Sequence, residues 1–574
     1  MALTAITANV CFIAAYVFYI TQVLSLNSGV LMKEAYLAPA AVYAILALFS
    51  FLAQKASKEK YITVLADISP ALFAFLLLFL TPLFVKVNMP SPHNFVFRKL
   101  GLILGISYTA FVFLTAALTV WRVKKTILAE DMKAKKVFYY ILAFFFVFNF
   151  SLALWFNYAN EPTGDEPVYI LTAISILNDH DIDLRNNYTN GDYKSFYSRD
   201  LKPQDDDLNV NGKMYTKHPI MLSVLIAPFY LLAGVPGIST LMCFFSALLV
   251  ALMFYLNYRV NKDMESSITA ALLAGFTMPV IMFINLTSTD ILCAVILAAS
   301  YIIYRFKPER VLLFSFIMAS AIWIHIRIVP IYAVIALLFL VRHRDKPFDI
   351  LKFGLVQALS FAAFFGINYF FYRDFIPYSS QQADGMQFGA YFLKGLFVYF
   401  FDRQLGLFSY GPFYIICIPG MYFLYKRSAK IFVELTMIFI PYYVMIAAYP
   451  YWGWGSSSPR YLLPLIFILV VAAAETISAM RSVMSKNIFY LLSAASLVIS
   501  FAVAAVPWFR WDRTGHENWL VYLLSQFTSI NFSIIFPSLI NMNSSTVYAL
   551  AFWVIFAAVV TIVNIFEKNK IRNR

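Results

Sequence analysis

The chain has 574 residues, of which 61% are hydrophobic, 18% aromatic and only 13% charged. That leaves too little polar surface to cover a soluble globule, and no alternation of period two argues for a β-barrel. The net charge of +14 does not imply nucleic acid as a partner, because Lys and Arg sit in short loops between apolar runs, as cytoplasmic loops require.

Mean hydropathy is +0.73, and apolar runs of about eighteen or more residues recur along the whole length. This pattern predicts an all-α polytopic membrane protein with about sixteen spans. Four are expected before residue 136, over 5–24, 35–53, 63–84 and 100–121. The others run from 137–156 through 237–258, 266–283, 289–305, 310–324, 327–341, 349–371, 411–425, 430–448, 461–480 and 487–506 to 546–565. The first span lacks a basic leader and a small-residue cleavage motif, so it is expected to be retained. Residues 1–136 have short connections and few polar signatures, and are expected to form an accessory bundle beside a core over 137–574. Cys11, Cys243, Cys293 and Cys417 lie in apolar runs without metal-ligand spacing and read as small buried hydrophobes.

The basic stretches QKASKEK (54–60), WRVKKTILAEDMKAKK (121–136), RFKPER (305–310), VRHRDK (341–346), YKRSAK (425–430) and EKNKIRNR (567–574) fall on one side of this arrangement. The positive-inside rule makes that side cytoplasmic. Loops 157–236, 372–410, 449–460 and 507–545 are then extracytoplasmic. The first of these is long enough to suggest function. Residues 157–217 hold eleven of the chain's thirty acidic residues, although solvation alone accounts for the DDD at 205–207.

Within NEPTGDEPVY (160–169), Asp165 and Glu166 precede Pro167. Pro favours the first helical turn, which puts both acids at a helix start. The following VYILTAISIL reads as an amphipathic helix lying in the interface plane. Acids at such a position are ordinarily caps, and the functional alternative is a general base at the membrane surface. In MYTKHPIMLSVLIAPFYLLAG (214–234), Lys217 and His218 precede a second helix-starting Pro, Pro219. A cation at a helix N-terminus is favourable only if an anion binds there too, which suggests a phosphate site. Snorkelling of Lys217 to headgroups is the structural alternative. In NLTSTDILCAVILAA (285–299), Thr289 or Asp290 is expected as an N-cap. In WGWGSSSPRYLLPL (452–465), Arg460 and Tyr461 begin a span. Arg460 has the geometry to clamp a phosphate, or, with Tyr461 and Trp454, to anchor an interface.

GDEPVYILTAISILNDHDIDLRNNY, KHPIMLSVLIAPFYLLAG, TDILCAVILAA, GLFVYFFDRQLGLFSYGPFYIICIPG and WGSSSPRYLLPL occur in this order. Together they resemble the GT-C superfamily of membrane glycosyltransferases, in particular bacterial protein O-mannosyltransferase-like and aminoarabinose transferase-like members. The resemblance covers roughly residues 137–510. It implies a multi-span core with a large first extracytoplasmic loop carrying interfacial helices. It also implies transfer of a sugar from a polyprenyl-phosphate donor to an acceptor hydroxyl of a lipid, glycan or protein, at the periplasmic face of a bacterial inner membrane. Carried onto this chain, Asp165 and Glu166 are the catalytic acids. Lys217, His218 and Arg460 are the expected holders of the donor phosphate, and Asp290 is a second acid.

Tyr169, Tyr461, Arg403, Trp452 and Trp454 are expected substrate contacts, with Arg327 and Arg403 as further phosphate candidates. Asp165, Glu166, Asp290 and His218 are also the residues that could hold a divalent metal ion. Residues 378–392, with Gly385 and Gly389 around Gln387, have the composition of a cover over the site. The competing class is a multi-span transporter or flippase. Such proteins place ionisable groups at mid-membrane, whereas these spans read as nearly free of acids, Asp67 being the clearest exception.

Overall fold

The computed structural model describes residues 95–129, 132–204, 208–376, 388–449, 459–510, 512–513, 517–518, 536–540, 542 and 544–572. The expected spans 5–24, 35–53 and 63–84 lie outside the described residues, as do Asp67, Cys11, Trp452, Trp454 and the DDD stretch. The expected cover also falls largely outside, with Gly385 and Gln387; Gly389 is described.

The chain forms two compact units: residues 1–130 with 231–237, and residues 131–230 with 238–574. Helix α1 (Phe95–Ala129) belongs to the first. The second begins with α2 (Ala134–Ala159), α3 (Glu166–Asn178), α4 (Arg185–Asn190) and a hairpin of β1 (Leu208–Val210) and β2 (Lys213–Tyr215). There follow α5 (Ile220–Asn261), α6 (Met264–Phe276), α7 (Thr289–Phe306), α8 (Val311–Ile324), α9 (Val329–Arg342) and α10 (Pro347–Tyr372). The C-terminal part holds α11 (Ala390–Phe401), α12 (Leu407–Tyr410), α13 (Cys417–Arg427), α14 (Ala429–Ala447), α15 (Ile466–Ala479), α16 (Val483–Ala505) and α17 (Ser544–Arg572).

Among the described residues, nine helices are long and apolar enough to cross a membrane, and four more apolar helices are shorter. The protein is therefore an all-α integral membrane protein with many spans. Several expected spans differ in detail. The one expected over 237–258 starts earlier, at Ile220 behind Pro219, and its helix is interrupted by non-helical backbone at Ala233 and Gly234. The segments 266–283, 411–425 and 461–480 combine α-helix with 3-10 turns over Val280–Phe283, Pro412–Ile416 and Arg460–Leu465.

The first long loop, expected outside the cytoplasm, is folded among its described residues. Val168 and Leu171 of α3 pack with Leu184 and Tyr193 into a small core of their own, covered by Tyr188, Phe196, Tyr197 and Leu201. Helix α3 was expected as a surface amphipath. Instead, all ten residues from Glu166 to Ser175 are buried, because Val, Ile, Leu and Ala occur on every face of it and none is left for lipid headgroups.

Close helix contacts use glycine. A Cβ on Gly420 of α13 would stand 1.9 Å from the backbone oxygen of Ala472 in α15, and one on Gly395 of α11 would stand 2.0 Å from that of Ala447 in α14. Backbone meets backbone there, as small residues permit in membrane bundles. Cys243, Cys293 and Cys417 are free and buried.

The spans do contain acids. Glu434 of α14 is buried and accepts from the Tyr301 hydroxyl at 3.0 Å and the Tyr304 hydroxyl at 3.2 Å, with Arg305 Nε at 3.5 Å. Glu475 of α15 is buried against Arg427 Nε at 2.7 Å. The expectation of nearly acid-free spans is corrected on this point. Each carboxylate is answered by an arginine near a helix end, the arrangement that lowers the cost of burying charge.

Replacing Gly420 or Gly395 by Ala is expected to destabilise the protein by about 1–3 kcal/mol through overpacking. Gly354→Ala on α10, where a Cβ meets nothing within 4 Å, is expected to be neutral or slightly stabilising. Thermal unfolding in detergent of the three variants checks the contrast.

Candidate functional site

Asp290 is the centre of the site. It lies in the first turn of α7, and its side chain is fully buried, with 0% exposure. The cap of α7 is Ser288, whose hydroxyl accepts from the Asp290 amide. Thr289 and Asp290, the caps expected from sequence, are not used. Ser288 Oγ also donates to Asp290 Oδ2 at 2.6 Å. With its helix end already capped, the Asp290 carboxylate is available for long-range partners, and it takes two. Arg327 binds Oδ1, and Arg460 Nε binds Oδ2 at 2.8 Å.

Arg460 reaches onward from Asp290, and its Nη2 contacts Asp165 Oδ2 at 3.1 Å. Asp165 stands at the N-cap position of α3, but its side chain makes no capping hydrogen bond. The ordinary explanation for an acid at a helix start therefore fails for this residue. Its carboxylate is 34% exposed, with the His218 Nε2 at 3.8 Å from Oδ1. Burial works to raise its pKa, but the charges of Arg460 and His218 and the Arg460 hydrogen bond outweigh that and hold it below the usual carboxylate range. Asp165 is thus ionised at neutral pH.

His218 shares its Nε2 with Gln204 Oε1 at 3.2 Å, and its ring lies 5.0 Å from that of Tyr169. Arg327 stacks over the Tyr461 ring at 4.8 Å. Its backbone is set by His325, whose Nδ1 accepts from the Arg327 amide at 3.1 Å. Segments as much as 295 residues apart in sequence thus supply one connected cluster.

Glu166 does something different from its neighbour. Its Oε1 accepts from the Thr287 amide at 2.8 Å and its Oε2 from the Thr163 amide at 3.1 Å. The side chain is enclosed, and burial raises its pKa even against those two donors and Arg510. Glu166 was expected to share the catalytic role; here its two oxygens strap together the loops that carry Asp165 and Asp290. Beside it, Arg510 donates to Asn285 Oδ1 at 3.0 Å, lies 3.7 Å from the centre of the Phe156 ring, and is pulled down to about 9 by burial. Asn285 in turn donates to Asn157 at 2.8 Å.

The structure therefore gathers Asp165, Glu166, His218, Asp290, Arg460, Tyr169 and Tyr461, all expected from sequence, and adds Arg327, a reserve candidate. Of the KH pair, His218 is the one that stands beside Asp165; Lys217 is half-buried in the same turn. Arg403 is joined to the C-terminal part through its backbone. Its amide donates to Pro537 O at 2.8 Å, next to Asp402, which is fully buried and accepts from the Gln404, Leu405 and Leu539 amides. Ser288, Gln204, Asn285 and Arg510 were not foreseen. A polar residue inside an apolar run, as in PWFRW, was the available signal for the last of these. Among the described residues, no three His, Cys, Asp or Glu side chains are grouped to hold a metal ion. Of the residues expected as possible metal ligands, Asp290 has a guanidinium on each oxygen and Glu166 a backbone amide on each.

Chemically, the cluster presents a half-exposed, ionised carboxylate beside two cations whose side chains are 26% (Arg460) and 14% (Arg327) exposed. Asp290→Asn should cost about 3–5 kcal/mol, because it leaves the enclosed Arg327 without its carboxylate partner and Arg460 with Asp165 alone. Asp165→Asn should cost less. The depressed pKa of Asp165 makes its contribution to stability present above its ordinary pKa of 3.8 and lost as the pH falls through the lower folded value. Melting curves from pH 7 down to the acid limit should therefore show an acid-side loss in the wild type that is smaller in Asp165→Asn.

A scan against protein-family models, a search of curated proteins and a search of solved structures each returned no match to this chain.

Proposed function

We propose that this membrane protein is a glycosyltransferase that moves a sugar from a polyprenyl-phosphate donor to an extracytoplasmic acceptor hydroxyl by an inverting displacement. The observation that carries the reading is Arg460, a guanidinium shared between the half-exposed Asp165 and the buried Asp290. In such a reaction the acceptor oxygen attacks the anomeric carbon while its proton passes to a base. The bond from that carbon to the phosphate oxygen breaks. One carboxylate suffices for this, unlike hydrolysis, which pairs two across the bond. Asp165 is the base in this reading, being the exposed and ionised member of the cluster.

The leaving group is already an anion and needs cations more than an acid. Arg460 and Arg327 are disposed to meet it, with His218 as a further donor. Tyr461, stacked under Arg327, and Tyr169, beside His218, are the aromatic walls a sugar ring would rest on. A polyprenyl chain must remain in the bilayer, and the residues at the first turn of α7 put the cluster at the end of a span, where such a donor can reach it. The order of motifs that resembles GT-C enzymes supports the same reading, with a periplasmic active face and residues 1–136 as an accessory bundle.

The test is transfer of radiolabelled sugar from polyprenyl-phosphate-linked donors in vesicles. Asp165→Asn is expected to lower turnover by about 10²–10⁴-fold while the protein stays folded, and Arg460→Lys is expected not to restore full activity, since a Lys ammonium lacks the planar fork that sets Nε on one carboxylate and Nη2 on the other. Solute uptake without covalent product would instead support a transporter, and unchanged turnover in Asp165→Asn would remove this residue from the chemistry.

A further inference from the structure

The charges joined in the cluster are balanced. Asp165 and Asp290 face Arg327 and Arg460, and Arg460 has one carboxylate on Nε and another on Nη2. A phosphate that reaches Arg460 therefore does not find a vacant cation. If nothing yields, it adds negative charge beside two carboxylates, and like charges brought together in a partly desolvated site repel strongly. One carboxylate must give way.

The two are not equally able to do so. Asp290 is fully buried, is tied by Ser288 and by Arg327 as well as by Arg460, and lies inside a helical turn. Its removal from the cluster would leave an uncompensated charge in the interior. Asp165 is half-exposed, makes no capping bond, and meets Arg460 through one contact of 3.1 Å and His218 only at 3.8 Å. Rotation of its side chain toward the exposed side gives up one hydrogen bond to Arg460 and the longer His218 contact, and breaks no capping bond. The backbone beneath it need not move, because Glu166 holds it to Thr287.

Resting on the reading of Arg460 as the donor-phosphate holder, we propose that Asp165 occupies Arg460 as a stand-in for that phosphate. Arrival of the donor displaces the carboxylate, and the displaced carboxylate is the one that then receives the acceptor's proton. The contact seen here is accordingly a closed resting state. It keeps the base paired with a cation until the donor is present, and it discriminates against ligands that lack an anion able to compete for the guanidinium. The same group is therefore both base and competitor, so its removal has opposite effects on catalysis and on anion binding.

The experiment is equilibrium binding of farnesyl phosphate, a short prenyl monophosphate, to the purified full-length protein in detergent. Wild type, Asp165→Asn, Asp165→Ala, Arg460→Gln and the Asp165→Asn/Arg460→Gln double variant are compared, each first checked for monodispersity and melting temperature. Inorganic phosphate is run in parallel to separate recognition of the anion alone from recognition of the lipid phosphate. The expected result is that both Asp165 variants bind about tenfold tighter or better than wild type, that Arg460→Gln binds more weakly, and that the double variant loses the gain. Asp165 variants that bind equally or more weakly, while Arg460→Gln still loses affinity, would overturn the stand-in role and leave the phosphate role of Arg460 intact. Undiminished binding in Arg460→Gln, or no binding in any variant, would overturn both.

Discussion

A fully buried carboxylate, Asp290, is the constraint on which the candidate site depends. Its charge can be kept inside a membrane protein only if it is compensated at close range, and it is compensated twice, by arginines from two segments distant in sequence. Those arginines fix where the start of α9 and the start of the 460–479 span must lie relative to α7. Once Arg460 is drawn to Asp290, its remaining nitrogen falls beside Asp165, and the start of α3 is brought to the same place. The half-exposed acid is therefore positioned by a buried one through a shared cation. The backbone between them is joined separately by Glu166.

The two adjacent acids show how position in a helix start decides chemistry. Asp165 and Glu166 differ by one methylene and one residue. Asp165 points to a cation and to solvent, and it is ionised. Glu166 points inward to two amides, and its burial raises its pKa. Their pKa values move in opposite directions for that reason, which is the usual sign of two carboxylates with separate duties.

Much of this was legible in the sequence, and the part that was legible has a physical reason. Long apolar runs fix the class, because only helices satisfy the backbone in lipid. Pro167 and Pro219 mark helix starts correctly, since their fixed φ and missing N–H suit the first turn. Asp165, His218, Asp290 and Arg460 stand out because charge is rare in a chain so apolar. What sequence could not show was pairing. Whether Asp290 caps its own helix or reaches a distant arginine depends on whether Ser288 takes the cap first, and that is a question of backbone angles. The enclosed position of α3 was misjudged because an apolar helix with a few polar residues looks the same whether lipid or protein covers it. Nor could sequence show that the Arg403 backbone meets Pro537, beside a junction in which Asp402 accepts from the Leu539 amide.

Glu166 has a further consequence. Its two oxygens are bonded to amides of two different loops, so the gap between those loops is set by one carboxylate and its two hydrogen bonds. The frame around the site is in that sense a short rule, with a length set by that carboxylate and the two amides it holds. Whatever adjustment a ligand demands must then be made by groups mounted on the rule, chiefly the Asp165 rotor and the long Arg460 arm. The site divides into a fixed gauge and two movable parts, and the division is written in the neighbouring letters D and E.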